Sequence, residues 1–301
     1  MSLATLSAAK LAWREVTLVI LTTFAPSGIL ACALCAVAVA GLGVCGIDDA
    51  ARARLSHLIA LPLAVSMVGL VAAAGHLGTP SNALYVISGV GRSPLSNEVA
   101  CCVAFMALTG LYWLYSFSRR ICRPLQRAWC VAIALTGCIA VVSVSLAYSA
   151  PTIVTWSHWS VPVFLCCSAC AGAPLLAFAT ATLARVGIIY GAQKLLLACG
   201  VASLLAAGAV LAIQWDWLGG VRSGAATGHE LVPAYPLLIA LYVLLGTAAY
   251  VLGGVTVRRS VRRGARPSVG RLGLACALYF IGLFVMRFAF YMTHMTVGIG
   301  L

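Results

Sequence analysis

The sequence has 301 residues, of which 63% are hydrophobic and 8% are charged, and its mean hydropathy is +1.06. Soluble domains carry about 25% charged residues, so this composition excludes a soluble domain, and its few polar residues exclude a disordered chain. The net charge of +13 is typical of nucleic-acid-binding proteins, but the basic residues lie in short clusters between apolar stretches, as in membrane proteins. We therefore expect an all-α, polytopic membrane helix bundle that binds no nucleic acid.

Eight segments are long and apolar enough to cross a bilayer, whose hydrocarbon core of about 30 Å needs roughly 20 helical residues. The whole chain, 1–301, is therefore predicted to form a single integral membrane domain. Residues 1–14 are at most weakly amphipathic and have no predicted role. The predicted spans lie near residues 16–40, 56–77, 99–117, 128–150, 160–184, 195–213, 236–257 and 272–292.

The distribution of basic residues predicts the orientation of the chain in the membrane. The first, third, fifth and seventh loops hold fourteen of the nineteen Lys and Arg residues. Since cytoplasmic loops are enriched in Lys and Arg, these loops are predicted to be cytoplasmic and both termini extracytoplasmic. Binding of lipid headgroups is the alternative role for the same side chains. The fourteen residues are Arg52, Arg54, Arg119, Arg120, Arg123, Arg127, Arg185, Lys194, Arg258, Arg259, Arg262, Arg263, Arg266 and Arg271.

Neither haem nor a metal ion is expected in this chain. A membrane haem needs axial histidines that project into the bundle core, whereas the histidines here lie at span ends or in loops. Closely spaced cysteines such as Cys32 and Cys35 lie mid-span with no His or carboxylate nearby in sequence, which favours packing over metal binding. The five histidines are His57, His76, His158, His229 and His294.

Polar residues of four spans, including Glu15 at the start of the first, fall at one predicted depth, near the outer edge of the hydrocarbon. His76 ends the second span and Glu98 opens the third, and an outer loop joins these two spans. On the last span, Arg287, Tyr291 and His294 follow one another at spacings that place them on one helix face. Polar groups are costly to bury in a membrane, so this convergence indicates a functional site.

Taken singly, these residues also have ordinary interpretations. A histidine or glutamate at a span end is commonly an interfacial residue or helix cap, Arg287 can extend its charge to water, and Tyr291 suits an aromatic belt. Their combination, however, suits a two-proton redox carrier dissolved in the membrane. Histidine titrates near pH 6.5 and can accept a proton, and a carboxylate can pass it to water.

Several segments carry a family resemblance. The stretch 75–80 (GHLGTP), followed by 94–100 (PLSNEVA), resembles the membrane anchor subunit of dimethyl sulfoxide reductase. The terminal run 287–298 (RFAFYMTHMTVG) resembles the same family. Segments 151–159 and 172–176 are weaker matches in the expected order. The resemblance runs from about residue 15 to the C-terminus.

The resemblance implies an eight-helix, haem-free anchor that oxidises menaquinol to menaquinone during anaerobic respiration, in the inner membrane of a bacterium. It also implies two partners: an iron–sulfur electron-transfer subunit, and a molybdopterin catalytic subunit that reduces the terminal acceptor. The family's H-L-G histidine and L-S-x-E glutamate are tied to menaquinol binding and oxidation, and they match His76 and Glu98. The chain departs from the family pattern at Asn82, where a basic residue is common, and at Leu283, where a carboxylate is expected.

On this hypothesis, menaquinol enters laterally into a cleft between the second and third spans, near the outer face, with the eighth span as a candidate third wall. His76 accepts a proton, Glu98 passes protons toward water, and Arg287 stabilises negative charge as the quinol is deprotonated. Tyr291 and His294 complete the quinol pocket. Short electron paths favour partner docking at the same extracytoplasmic face, which makes turnover electroneutral.

Two other functions stay open at this point. The chain could anchor a related molybdenum enzyme, such as a polysulfide or tetrathionate reductase, because the acceptor binds on another polypeptide. It could also be a secondary transporter, since intramembrane polar residues often mark transport paths. Against transport, the sequence has no evident internal repeat and no interrupted helices at matched positions of two halves.

Overall fold

The computed structural model describes residues 3–44, 47–75, 85–149, 153–222, 226–263 and 265–295. These ranges form α-helices joined by turns and short loops, which confirms the all-α prediction. The helices are α1 (Leu3–Arg14), α2 (Val16–Val39), α3 (Asp49–Leu58), α4 (Ala60–Ala74), α5 (Tyr85–Ser88), α6 (Pro94–Tyr115), α7 (Arg123–Ala147), α8 (Ser160–Leu183), α9 (Tyr190–Gly220), α10 (Gly228–Leu231), α11 (Tyr235–Arg263) and α12 (Val269–Met292).

Within the described ranges, eight helical segments are long and apolar enough to cross a membrane, as predicted. They are α2, α3 with α4, α6, α7, α8, α9, α11 and α12. Several extend beyond the predicted spans, because hydropathy detects only the apolar part of a helix. Thus α9 covers Tyr190–Gly220 where the sequence predicted 195–213, and α11 continues to Arg263.

The second span is divided into α3 and α4 at Ile59. Pro62 lies in the first turn of α4 and has no N–H to donate to the Leu58 carbonyl, so the helical hydrogen-bond ladder is interrupted there. The α3 segment begins with Asp48, whose side chain accepts a hydrogen bond from the Ala51 N–H. This cap starts the helix well before the predicted boundary at residue 56.

Helices α2 and α8 lie at the centre of the bundle. In the most apolar 18-residue stretch of each of these two helices, about 72% is buried, against 28–44% in the other spans. Glycine permits the close approach of their neighbours: a Cβ on Gly28 of α2 would lie 2.7 Å from the Ser66 backbone nitrogen on α4, and one on Gly172 of α8 would clash with Ser27. Small residues at helix contacts are characteristic of packing within membranes.

Successive spans run antiparallel, so the bundle has two distinct ends. At one end, here called the arginine end, His57 contacts the Ser116 carbonyl at 3.1 Å and Arg54 donates to the Ala184 carbonyl at 3.0 Å. The other end is here called the Glu98 end, because Glu98 lies there near the start of α6. At this end, the Trp156 side chain donates to the Thr293 hydroxyl at 3.3 Å. These side-chain contacts join helices that are distant in sequence, so each end is fixed by tertiary structure.

Helix α1, for which the sequence predicted no role, packs at the Glu98 end. Ala8 and Ala12 are buried, which gives the helix one apolar face against the bundle. The Thr5 hydroxyl donates to the Glu230 carbonyl of α10 at 3.0 Å. Glu230 also completes a capping box with Thr227 at the start of α10. Helix α1 therefore covers part of the Glu98 end.

Candidate functional site

Glu98 lies in the second turn of α6 and is only 5% exposed. The preceding turn folds back on the helix start, because the Asn97 side chain accepts a hydrogen bond from the Gly91 N–H at 2.7 Å. Gly91 has a φ of +83°, a conformation that glycine adopts without strain. Ser96 packs closely on Gly89, where a Cβ would clash with the Ser96 hydroxyl. The P-L-S-N-E segment thus forms a compact helix start that turns Glu98 inward.

Glu98 faces a cavity of about 690 Å³ between α2, α4 and α6. Most of its wall is apolar, and Glu98 is the one carboxylate among the described residues that line it. Ligand pockets typically have volumes of about 300–1,000 Å³ and few polar groups, so both the size and the lining suit an apolar ligand. Wall residues from the three helices are Leu18, Leu21, Met67, Leu70, Val71, Ala73, Ala74, Leu95, Val99, Cys102, Val103, Met106 and Ala107.

The cavity opens on the outer surface of the bundle, not on its axis. Val71 of α4 and Val103 of α6 line it and are 64% and 62% exposed. Because both belong to segments long and apolar enough to span a membrane, the opening faces the region that lipid occupies around such helices. An apolar molecule dissolved in the bilayer can therefore reach Glu98 laterally.

The Glu98 carboxyl group makes no hydrogen bond to any residue that the structure describes. The carboxyl group lies at the cavity wall, so its oxygens can bind a polar ligand atom there. An ionised carboxylate accepts hydrogen bonds, and a protonated one also donates. In contact with a ligand hydroxyl, Glu98 can therefore accept a hydrogen bond and take up a proton.

Tyr148 forms the polar part of the opposite wall, and sequence reasoning missed it. It follows α7 directly, is 8% exposed and lines the cavity. Its ring packs edge-on against Tyr291, with centroids 6.1 Å apart, and Tyr291 packs in the same way against Trp156 at 5.3 Å. Its position at the predicted outer end of the fourth span was the available signal.

Tyr291 is fully buried behind Tyr148 and does not itself line the cavity. The Tyr291 ring contacts the rings of Phe290 on α12 and of Trp156 in the 153–159 segment. The Trp156 ring in turn stacks on Phe290 at 4.8 Å. The structure therefore brings Tyr291 to the Glu98 end, as predicted from depth, but in a supporting layer. Its ring holds Tyr148 in position against the cavity.

His294 follows α12 and lies beside Trp156, with ring centroids 5.1 Å apart. Burial lowers the pKa of His294 below its ordinary value, and the nearby negative charge of Glu15 opposes that shift in part. Glu15 immediately precedes α2. His294 thus lies at the Glu98 end but is absent from the residues that line the cavity.

Arg287 lies deeper in the bundle, where it does not contact the cavity. It is fully buried, and its Nη2 donates to the Ser168 hydroxyl at 2.5 Å. Its guanidinium carbon lies 4.0 Å from the centre of the Phe164 ring, a cation–π contact. Among the residues that the structure describes, neither Nε nor Nη1 has a hydrogen-bond partner. Sequence spacing predicted that Arg287 and Tyr291 share one helix face, but the two side chains contact different neighbours. Arg287 contacts α8, and Tyr291 contacts Tyr148 at the end of α7.

The predicted residue His76 lies outside the described residues. The described segment that contains α4 stops at Gly75, directly after Ala73 and Ala74, which line the cavity at the end of α4. The assignment of His76 to the site therefore stays a prediction.

The other histidines that the structure describes have packing or hydrogen-bonding roles. His158 stacks on Trp217 at 4.8 Å, and the His229 Nε2–H donates a hydrogen bond to the Trp215 carbonyl at 2.8 Å. No three His, Cys, Asp or Glu side chains in the described ranges are grouped to hold a metal ion. Cys32 and Cys35 are buried in α2.

Comparisons with known proteins all point to the same protein family. The model of the family described as "DMSO reductase anchor subunit (DmsC)" matches residues 10–292. The sequence is 31% identical to the C subunit of anaerobic dimethyl sulfoxide reductase of Escherichia coli (strain K12) over 232 residues, which is 77% of this protein and 79% of the relative. It is 29% identical to the YnfH subunit of anaerobic dimethyl sulfoxide reductase of the same organism over 290 residues, with 96% and 98% covered. The corresponding C subunit of Haemophilus influenzae is 27% identical over 251 residues, with 82% and 84% covered.

Proposed function

Because the chain belongs to the DMSO reductase anchor subunit family, we propose that it binds menaquinol and oxidises it for a dimethyl sulfoxide reductase-type complex. Family membership and the eight apolar helices make it the multi-pass membrane anchor of such a complex, which also contains catalytic and electron-transfer subunits. The match to this family favours the anchor over the secondary transporter, and dimethyl sulfoxide reductase over the polysulfide and tetrathionate enzymes.

The observation that carries the proposal is the cavity beside Glu98. A quinol has an apolar ring system and tail with two hydroxyl groups. The cavity pairs an apolar wall with one phenol and with a carboxyl group that bonds to none of the described residues. Its opening toward the lipid suits a substrate that diffuses in the membrane. Its volume of about 690 Å³ accommodates a fused two-ring headgroup.

Oxidation of the quinol to the quinone releases two protons and two electrons. His76 accepts one proton from a quinol hydroxyl, and Glu98 accepts a proton and passes it to water at the end of α6. A general base within hydrogen-bond reach contributes about 10²–10⁴-fold to such a step. Tyr148 positions the ring system from the opposite wall, and Tyr291 and His294 support that wall.

Arg287 acts on the site through charge and not through contact. Arg287 does not line the cavity, whereas Tyr148 does, with Tyr291 of the same helix as Arg287 packed against it. A positive charge in this low-dielectric surrounding stabilises negative charge that develops as the quinol loses its protons.

The electrons pass to an iron–sulfur subunit docked on the anchor, and from there to a molybdopterin catalytic subunit. We place this docking surface at the Glu98 end, since the electron path from the cavity is shorter there than from the arginine end. With that end extracytoplasmic, as the distribution of arginines predicts, protons are released and consumed on one side of the membrane.

The test uses the assembled complex in membranes with Glu98→Gln or His76→Ala. Each variant is expected to lower menaquinol-driven reduction of the acceptor by about 10²-fold or more, because a proton acceptor is lost. Activity with an artificial reductant that feeds the soluble subunits directly should be unchanged. Asp216→Asn is the matched control, since Asp216 is an exposed carboxylate at the same end of the bundle. Unchanged quinol kinetics in both variants would refute the proposal.

A further inference from the structure

A second cavity, here called the arginine pocket, lies at the opposite end of the bundle from Glu98. It has a volume of about 350 Å³ and is formed where α8, α9 and α11 end or begin. Arg185 and Arg266 line it together with Thr182, Gln193 and Ser260. Because these residues lie at helix ends, the pocket is at the level of the lipid headgroups around a membrane-spanning bundle.

The charge of this region is strongly positive. Fourteen Lys and Arg residues lie in the helix ends and loops at this end, against the two carboxylates Asp48 and Asp49. Asp49 already pairs with Arg123. Among the residues that the structure describes, neither pocket arginine forms a side-chain ion pair or hydrogen bond. Two such guanidinium groups on one concave surface attract an anion with several oxygen atoms.

The backbone at Arg185 is unusual for a side chain of this size. Helix α8 ends there with the Val186 N–H donating to the Ala181 carbonyl at 2.9 Å, and Arg185 has a φ of +60°. This left-handed position after a helix is normally occupied by glycine, because a Cβ is strained in it. This turn at the end of α8 places the Arg185 side chain in the wall of the pocket.

An apolar groove adjoins the arginine pocket and shares Ala181 and Ile188 with it. Its volume is about 170 Å³. The segment between the two cavities is held in place, because the Ile189 N–H donates to the Gly43 carbonyl at 3.0 Å. Gln193 donates to the Ile188 carbonyl at 2.9 Å on the other side. The groove extends inward from the headgroup level, as an acyl chain does. Further apolar residues that line it are Leu34, Val37, Val44 and Leu195.

We propose that the arginine pocket and the adjoining groove form a binding site for one anionic phospholipid. Arg185 and Arg266 bind the headgroup phosphate, and Thr182 and Ser260 supply polar surface beside it. One acyl chain lies in the apolar groove. A cationic pocket at the headgroup level with an apolar groove that extends inward beside it selects a lipid over a soluble anion, which makes no contact with the groove. Basic pockets between membrane helices are known to suit anionic headgroups.

The test measures lipid retention by the purified full-length chain in detergent, using native mass spectrometry with added phosphatidylglycerol, phosphatidylcholine or inorganic phosphate. The wild-type chain should retain one phosphatidylglycerol, and the double variant Arg185→Gln/Arg266→Gln should bind it about tenfold more weakly. Arg119→Gln/Arg120→Gln is the matched control, because it removes the same charge from another exposed loop at this end.

Three results would overturn the proposal. Equal weakening by both double variants would indicate unspecific attraction to the basic surface. Binding of inorganic phosphate as strong as that of phosphatidylglycerol would indicate a soluble anion. Loss of soluble subunits from the complex in the Arg185→Gln/Arg266→Gln variant, with lipid retention unchanged, would indicate a protein-docking surface instead.

Discussion

The two halves of the bundle each bury a charged side chain, and they surround it differently. Glu98, in the half formed by α2, α4, α6 and α7, is buried and faces an open cavity. Arg287, in the half formed by α8, α9, α11 and α12, is enclosed by Phe164 and Ser168. A buried charge that faces a lipid-accessible cavity can react with a ligand, whereas an enclosed charge can act only through its field or through packing.

The polar surroundings of Arg287 extend this difference. The Tyr279 hydroxyl donates to the Ser168 carbonyl at 2.5 Å, and it lies 3.4 Å from the Tyr242 hydroxyl. Tyr235 donates to Gln214 at 3.1 Å. These groups neutralise no charge but orient dipoles around the guanidinium, so the half that holds Arg287 resembles a closed polar core.

Of the substitutions that distinguish the two halves, one that narrows the Glu98 cavity should have the largest effect, on the KM for menaquinol. Ala107→Trp places a large side chain into the cavity wall, and it is expected to raise the KM for menaquinol about tenfold with little change in kcat, since Glu98 is retained. Steady-state kinetics of the complex in membranes measures this. Ala104→Trp on the same helix is the control, because Ala104 is exposed and does not line the cavity. Equal KM values for the two variants would contradict the cavity assignment.

Substitutions in the half that encloses Arg287 should change the free energy of unfolding and not the affinity for menaquinol. Ser168→Ala removes the hydrogen bond that Arg287 donates and is expected to lower the free energy of unfolding by about 2 kcal/mol, since a buried charge loses its partner. Combining it with Arg287→Met should restore much of that loss, because the buried charge is then removed as well. Equilibrium unfolding in detergent gives both values.

Ser143→Ala is the control for this cycle, because its hydroxyl contacts the Cys101 sulfur at 3.3 Å and no charged group that the structure describes. Additive effects of the Ser168 and Arg287 substitutions would mean that the two side chains are not energetically coupled. A raised KM for menaquinol in Ser168→Ala would mean that the two halves are not functionally distinct.

The smallest expected effect concerns pH at the Glu98 end. Burial lowers the pKa of His294, so the unfolded chain binds a proton more readily than the folded one. Stability from the neutral imidazole is therefore fully present above about pH 6.5, the unfolded value, and is lost as the pH falls through the lower folded value. Melting temperatures of His294→Gln should fall less than those of the wild type between pH 7.5 and pH 5. Parallel curves for the two proteins would contradict this prediction.

The helical architecture was predictable because each span is specified locally. Length and apolar composition alone make a segment such as 160–184 a membrane helix, and the structure has α8 at Ser160–Leu183. Counting residues along antiparallel spans also predicted that Glu98 and Tyr291 lie at the same end of the bundle. The interruption at Ile59 was missed, because hydropathy does not register the hydrogen bond that Pro62 cannot make.

The residues around each charge depend on how the helices pack. Periodicity placed Arg287 and Tyr291 on one face of α12, but a helix face about 100° wide contacts two neighbours, and only the packing of α8 and α7 separates the two side chains. Tyr148 entered the cavity wall through the same packing. The order of amino acids alone therefore specified the spans and the common end of the bundle at which Glu98, Tyr291 and His294 lie, because these follow from local composition and from residue counts along each span. Which polar groups share a cavity and which are enclosed followed from helix rotation and from the choice of neighbours, which are set when the bundle assembles.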